Sequence, residues 1–123
     1  MIRLAVADEP HTAAYLDSYG WVLYKNNELP EARLWLHRAT NMEGGDDPVL
    51  FDHLGDVLWR SGEKEEAVKA WKRSIELNDE RTAEGEEPAE QEVSERVKQK
   101  IKAASEGAEP PIAPVPPASM PAQ

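Results

Sequence analysis

The sequence contains an internal repeat with a period of 35 residues, and this period limits the folds that the chain can adopt. The segment DSYGWVLY at residues 17–24 returns at residues 52–59 as DHLGDVLW, and the same offset aligns Glu31-Ala32 with Glu66-Ala67. Repeats of roughly 20–50 residues are typical of supersecondary units that stack on their neighbours and bury a continuous core. The sequence therefore predicts two stacked units of similar structure.

The spacing of apolar residues predicts two helices in each unit. Leu50, Leu54 and Leu58 recur every four residues, which places them on one face of a helix. Asp47 is a suitable N-cap for this helix, because the following Pro48 fits the first helical position. The expected helices cover residues 12–25, 30–42, 48–60 and 64–77.

Small residues recur at matching places in the two units. Gly20 and Gly55 have no side chain, so a neighbouring helix can approach closely at these positions. Ala32 and Ala67 each follow twelve residues later and are expected to face these glycines. The pattern indicates two helical hairpins that nest against each other.

The order of large and small residues resembles the signature of the tetratricopeptide repeat (TPR). The matching residues are Leu16, Gly20, Leu23, Ala32, Leu36 and Ala39 in unit one, and Phe51, Leu54, Gly55, Leu58, Ala67 and Trp71 in unit two. Ser74 departs from the pattern, because a TPR usually has alanine there. The chain is similar to the C-terminal repeats of bacterial TPR proteins. The resemblance implies an all-α fold, a right-handed α-solenoid of two TPR hairpins, to which the sequence adds flanking helices and, from its proline content, a disordered tail.

The remaining segments are expected to flank the two units. We expect the end of a preceding repeat helix or an N-terminal cap at residues 1–11, TPR units at 12–45 and 46–78, an acidic linker at 79–87, an amphipathic capping helix at 88–106, and a disordered Pro/Ala-rich tail at 107–123. In the capping helix, Val93, Val97 and Ile101 form a narrow apolar stripe, which suits the polar end of a repeat array. A partner-binding amphipathic helix would have the same pattern. The tail contains six prolines, which prevent helix formation.

The composition argues against a nucleic-acid partner and against a membrane-spanning helix. The formal net charge is −10, and a negative surface repels phosphate groups, so nucleic acid is not an expected partner. The chain has no cysteine and no run near the ~20 apolar residues of a membrane-spanning helix. Because no signal peptide is recognisable, the default expectation is a cytoplasmic protein, or an exported or periplasmic one if the sequence is a fragment.

The sequence has no motif of a known catalytic or cofactor-binding site. Asp52, His53 and Asp56 lie within about one helical turn, and carboxylates beside an imidazole suit acid–base chemistry. Asp17 is the repeat equivalent of Asp52, however, and both lie early in a helix, where the helix dipole favours negative charge. A structural role explains both residues. We therefore expect no enzyme activity, no metal site and no cofactor.

In TPR proteins the first helix of each unit generally lines the concave surface, so the resemblance implies a partner-binding site there. The candidate residues are Asp17, Ser18, Trp21, Tyr24, Lys25, Asp52, His53, Asp56, Trp59 and Arg60. Aromatic residues beside mixed charges are typical of protein interfaces, although the same rings could instead pack against neighbouring helices.

Two functions are compatible with this pattern. The leading hypothesis is a protein-interaction module that binds a peptide or helix of a partner on the concave face. The alternative is a terminal structural or assembly segment of a longer solenoid with no ligand of its own. Two repeats expose large end faces, which would also permit self-association.

Overall fold

The computed structural model describes residues 12–83 and 91–112, which form five α-helices and contain no β-strand. The helices are α1 (Ala13–Lys25), α2 (Leu29–Thr40), α3 (Pro48–Arg60), α4 (Lys64–Ala83) and α5 (Gln91–Ser105). The prediction of an all-α fold is therefore confirmed. The calls made for residues 1–11, for the linker and start of the capping helix at 84–90, and for the tail at 113–123 lie outside the described residues.

Side-chain caps fix the beginnings of α1 and α3. The Thr12 hydroxyl accepts a hydrogen bond from the Tyr15 amide at 3.0 Å. The Asp47 carboxylate accepts one from the Val49 amide at 2.8 Å. These amides belong to the first turn of a helix and have no partner within it, so the caps stabilise the helix start. The prediction of Asp47 as an N-cap is confirmed.

The turns inside the two hairpins have the same structure. Asn27 (φ 61°) and Gly62 (φ 87°) occupy matching positions and both have a left-handed backbone, which glycine and asparagine adopt more easily than other residues. In each turn, the amide of the next residue donates to the carbonyl five residues earlier, at 2.8 and 2.9 Å. The sequence repeat is therefore also a repeat of backbone structure.

The helices pack in chain order. The pairs α1–α2 and α3–α4 form the two hairpins, and α2 packs against α3 to join them. The helix α3 also touches α1. In the same way, α5 packs mainly on α4 and also touches α3. The helix α5 therefore contacts the second hairpin in the same way as α3 contacts the first. This packing places α5 beside the acidic residues of α3.

The glycines allow close packing, but the groups that they face differ in part from the prediction. A Cβ at Gly20 would lie 2.7 Å from Leu36 Cγ and 3.4 Å from the Ala32 carbonyl oxygen. A Cβ at Gly55 would overlap the indole of Trp71. The main neighbour of each glycine is thus the large residue four positions after the alanine, because the bulky side chain fills the space that glycine leaves.

The fourth helix extends beyond the predicted end of unit two at residue 78. Residues 79–83, which the sequence assigns to the linker, are helical. Leu77 and Asn78 are buried, and Arg81 donates to the backbone carbonyl of Asp46 at 3.1 Å. The last turns of α4 are therefore held against the turn that joins the two hairpins.

The residues that follow α5 are not helical, as the prolines predict, but they fold back onto the helical core. Gly107 has a φ of 72°, and the Ala108 amide donates to the Ala103 carbonyl at 2.9 Å. Pro110 is buried and Ile112 packs against the apolar core. The prediction of a disordered tail from residue 107 therefore differs from the structure over residues 107–112. The reason is that the side chains of Pro110 and Ile112 pack against the rest of the protein.

Candidate functional site

The acidic residues of α3 form a buried ion cluster with α5. Asp52 and Asp56 lie one helical turn apart and are 1% and 2% exposed. The Lys100 ammonium lies between them, 2.6 Å from Asp52 Oδ1 and 2.8 Å from Asp56 Oδ1. Arg96 donates to Asp52 Oδ2 through Nη2 at 2.7 Å and through Nε at 3.2 Å. Two cations of α5 therefore neutralise two carboxylates of α3.

The environment of Asp56 differs from that of its neighbour. Burial raises the pKa of the Asp56 carboxyl to about 6, although the Lys100 ammonium opposes this shift. Asp56 also accepts a hydrogen bond from the Trp71 indole at 3.2 Å. Of the two carboxylates, Asp52 also binds the guanidinium of Arg96, so it has more positive charge beside it than Asp56 has. The cluster is a structural joint between α3, α4 and α5.

A second polar contact joins the two hairpins at α1 and α3. His53 Nδ1 lies 2.7 Å from Asp17 Oδ1. The imidazole of His53 stacks on Trp21 with ring centroids 4.0 Å apart, and Trp21 stacks in turn on Tyr24 at 4.6 Å. The ammonium of Lys25 lies 5.9 Å from the centre of the Trp21 ring. The three rings form one aromatic stack that links the first hairpin to the second, with Tyr24 fully buried and Trp21 and His53 partly exposed.

The C-terminal ends of α1 and α3 are also in contact. Arg60 Nε donates to the Tyr24 hydroxyl at 3.4 Å, and burial raises the pKa of this phenol. Trp59 packs on Trp71 with ring centroids 5.8 Å apart, and the Lys64 ammonium lies over Trp59 at 5.0 Å. These residues therefore pack between helices. This agrees with the alternative that the aromatic rings have a structural role.

An open cleft of about 570 Å³ lies beside these contacts. It is lined by Trp21, Asp52, His53, Asp56, Arg96, Lys100, Pro111 and Ile112. The cleft is thus bounded by both hairpins, by α5 and by the segment after α5. Its size is that of a small-ligand or short-peptide site.

The structure brings four of the ten predicted site residues to this cleft. They are Trp21, Asp52, His53 and Asp56. Asp17 pairs with His53 behind them, while Tyr24, Trp59 and Arg60 pack between helices, and Ser18 and Lys25 are exposed on α1. Sequence reasoning missed Arg96, Lys100, Pro111 and Ile112. A usable signal existed, because Arg96 and Lys100 have the same four-residue spacing as Asp52 and Asp56.

A second cleft of about 460 Å³ lies between α2, α3 and α4. Its apolar floor includes Leu54 and Leu58. Its charged rim is largely paired within itself, as Arg33 contacts Glu63 and Lys69 contacts Glu66. The residues that line this second cleft include no stacked ring pair comparable to Trp21 and His53.

The described part of the chain contains neither a metal-binding cluster nor a membrane-spanning helix. Within residues 12–83 and 91–112, no three His, Asp or Glu side chains converge to hold a metal ion. Among the helices in these ranges, none is long and apolar enough to cross a bilayer. Comparisons with protein-family models, with curated proteins and with solved structures found no match.

Proposed function

We propose that the protein is a TPR-type interaction module that binds a peptide segment of a partner protein in the cleft at Trp21. In this proposal the two hairpins form a short right-handed solenoid, and the cleft belongs to its concave face. The observation that carries the proposal is the pair of stacked rings Trp21 and His53, which come from the two hairpins and line an open cleft. Aromatic rings at the centre of a partly apolar cleft are typical of interaction hot spots.

Two further observations support the TPR interpretation. The hairpin turns at Asn27 and Gly62 repeat with the 35-residue period of the sequence. The contacts of α3 with the first hairpin recur in the contacts of α5 with the second. Regular stacking of this kind is how repeat proteins build an extended binding surface.

The proposal is tested with a peptide array probed with the wild-type protein and with two single variants. Trp21→Ala removes the middle ring of the aromatic stack, whereas Trp35→Ala removes a tryptophan of α2 that packs on Tyr19 at 5.5 Å and does not line the cleft. We expect a set of peptides that bind wild type and Trp35→Ala but not Trp21→Ala. Equal binding by all three folded proteins would contradict the proposed site.

A second candidate function has one specific observation in its favour. The acidic pair Asp52 and Asp56, a candidate ligand-binding pair, is covered by the cations of α5. A final helix that neutralises these carboxylates suits a terminal assembly segment without a ligand. Failure of the folded wild-type protein to bind any peptide on the array would favour this function over the first.

A further inference from the structure

The chain's own segment after α5 lies against the candidate site. Pro110 is buried, and Ile112 packs against the apolar core. Pro111 and Ile112 line the same cleft as Trp21. Residues 108–112 have no helical or strand structure, so the cleft is bordered by a non-helical run of residues with two prolines and an aliphatic residue.

We infer that the cleft binds an extended peptide of a partner protein in which prolines precede an aliphatic residue, and that residues 108–112 cover part of this site in the free protein. The inference rests on the proposed function and narrows its ligand to one chemical class. It goes further in assigning the segment after α5 as an internal competitor of that ligand.

The chemistry of the cleft suits proline. Trp21 lines the cleft with the part of its indole that Tyr24 and His53 leave uncovered, and its stacking on these two rings fixes its orientation before a ligand arrives. Proline rings pack well on such rigid aromatic surfaces, and grooves lined by aromatic residues are a common means of recognising proline-rich segments. A proline-rich peptide is already extended in solution, so little conformational entropy is lost when it binds.

The polar groups of the cleft favour the same kind of ligand. Asp52, Asp56 and Lys100 already satisfy one another, so they have little capacity to bind the amides and carbonyls of a ligand. An extended proline-rich backbone has few amide donors and can keep its carbonyls in water. It therefore needs few polar partners from the protein.

The internal segment has a regulatory consequence. Because residues 108–112 belong to the same chain as the cleft, their effective concentration at the site is high. A partner peptide that uses the part of the cleft wall covered by Pro111 and Ile112 must first displace these residues. Its apparent affinity is then lowered by the fraction of molecules in which they are in place. Weakening the contact of Ile112 should therefore strengthen binding of a peptide added in trans.

The test uses the full-length protein and a fluorescently labelled peptide, AEPPIAPVPP, which is the sequence of residues 108–117. Binding is measured by fluorescence anisotropy for wild type, for Ile112→Asp and for the matched control Ile112→Val. We expect Ile112→Asp to bind the peptide roughly tenfold more tightly than wild type, because the charged side chain leaves the apolar site. Ile112→Val keeps an aliphatic side chain and should resemble wild type.

Additional variants keep the test decisive. If Ile112→Asp lowers the thermal midpoint, the double variant Pro110→Ser with Pro111→Ser releases the segment by another route, and it should give the same gain. Adding Trp21→Ala to either released variant should abolish binding. A peptide in which aspartate replaces the isoleucine should not bind.

Three results would overturn the inference. The first is equal affinity of the released variants and wild type, and the second is peptide binding that survives Trp21→Ala. The third is a wild-type dimer that is lost in Ile112→Asp, because the segment would then serve a second copy of the chain. If the array yields peptides that depend on Trp21 but contain no proline followed by an aliphatic residue, the proposed function stands and this inference fails.

Discussion

The ammonium of Lys100 lies 2.6 Å from the carboxylate of Asp52, and both side chains are almost completely removed from solvent. The two residues are separated by 48 positions in the sequence, so their contact fixes α5 on the second hairpin. A buried cation is costly unless it is fully paired, and Lys100 obtains its pairing from Asp52 and Asp56 together. The position of α5 therefore depends on charge as much as on its apolar stripe.

Replacing Lys100 with methionine should destabilise the protein strongly. The variant leaves Asp52 and Asp56 buried with less compensating charge, and breaking a buried pair of this kind costs about 3 kcal/mol or more. Urea denaturation followed by circular dichroism measures the effect. The matched control is Lys102→Met on the exposed face of α5, which should change the free energy of unfolding by about 0.5 kcal/mol at most. Identical midpoints for the two variants would contradict the buried cluster.

The stability of the protein should depend on the protonation of Asp56. Burial raises its pKa from 3.8 to about 6 in the folded state, so between these pH values the folded protein binds more protons at this site than the unfolded chain. The contribution of Asp56 to the free energy of unfolding therefore falls as the pH rises through this window. The groups that face it are Asp52, Lys100, Trp71 and Tyr24.

The variant Asp56→Asn isolates this dependence, because asparagine has a similar shape and no charge. The free energy of unfolding of Asp56→Asn relative to wild type should be more favourable at pH 7.5 than at pH 5 by about 1 kcal/mol. Urea denaturation at both pH values gives this difference, and carboxylates distant from Asp56 cancel in the subtraction. A relative stability that is constant or that moves in the opposite direction would show that Asp56 has no raised pKa.

Gly55→Ala should destabilise the protein although alanine favours helices over glycine by up to about 1 kcal/mol. The new methyl group would overlap the Trp71 indole, and such overpacking costs about 1–3 kcal/mol. Thermal and urea denaturation measure the change. In a Trp71→Leu background the overlap is relieved, so the same substitution should become neutral or stabilising. An equal cost in both backgrounds would rule out the contact as the cause.

Asp47→Ala should lower the free energy of unfolding by about 1 kcal/mol, because the first turn of α3 loses its cap at the Val49 amide. The adjacent residue offers a control. The Asp46 carboxylate is 3.9 Å from the partly exposed Arg73, and an exposed pair of this kind contributes little. Asp46→Ala should therefore leave the urea midpoint nearly unchanged. A larger effect from Asp46 than from Asp47 would contradict the capping role.

Local features of the fold could be predicted from the sequence because they depend on short-range rules. The beginning of α3 follows from Asp47 and Pro48, and the hairpin turns follow from residues that tolerate a left-handed backbone. The end of α4 could not be predicted in the same way. It depends on the contact between Arg81 and the Asp46 carbonyl, which are 35 residues apart and meet only after the hairpins pack.

The candidate site was predictable only in part. Trp21 and His53 could be assigned to it from the repeat, because equivalent positions of successive units face the same surface. The pairing of Asp52 with Lys100 was not predicted, because a lysine between Val97 and Ile101 reads as an exposed residue beside an apolar stripe. The burial of Pro110 was missed for a related reason, since composition indicates how a segment behaves alone and not which surface it covers.

The most direct test of the proposed cleft uses the four tryptophan indoles of the protein as position-specific probes. The uniformly ¹⁵N-labelled wild-type protein is titrated with the tightest-binding peptide from the array while the indole N–H signals are recorded. We predict that the Trp21 signal shifts in proportion to binding and that the Trp35 signal, from a residue outside the cleft, does not. An unchanged Trp21 signal at saturation, or a shift confined to Trp35, would contradict a peptide site between the two hairpins.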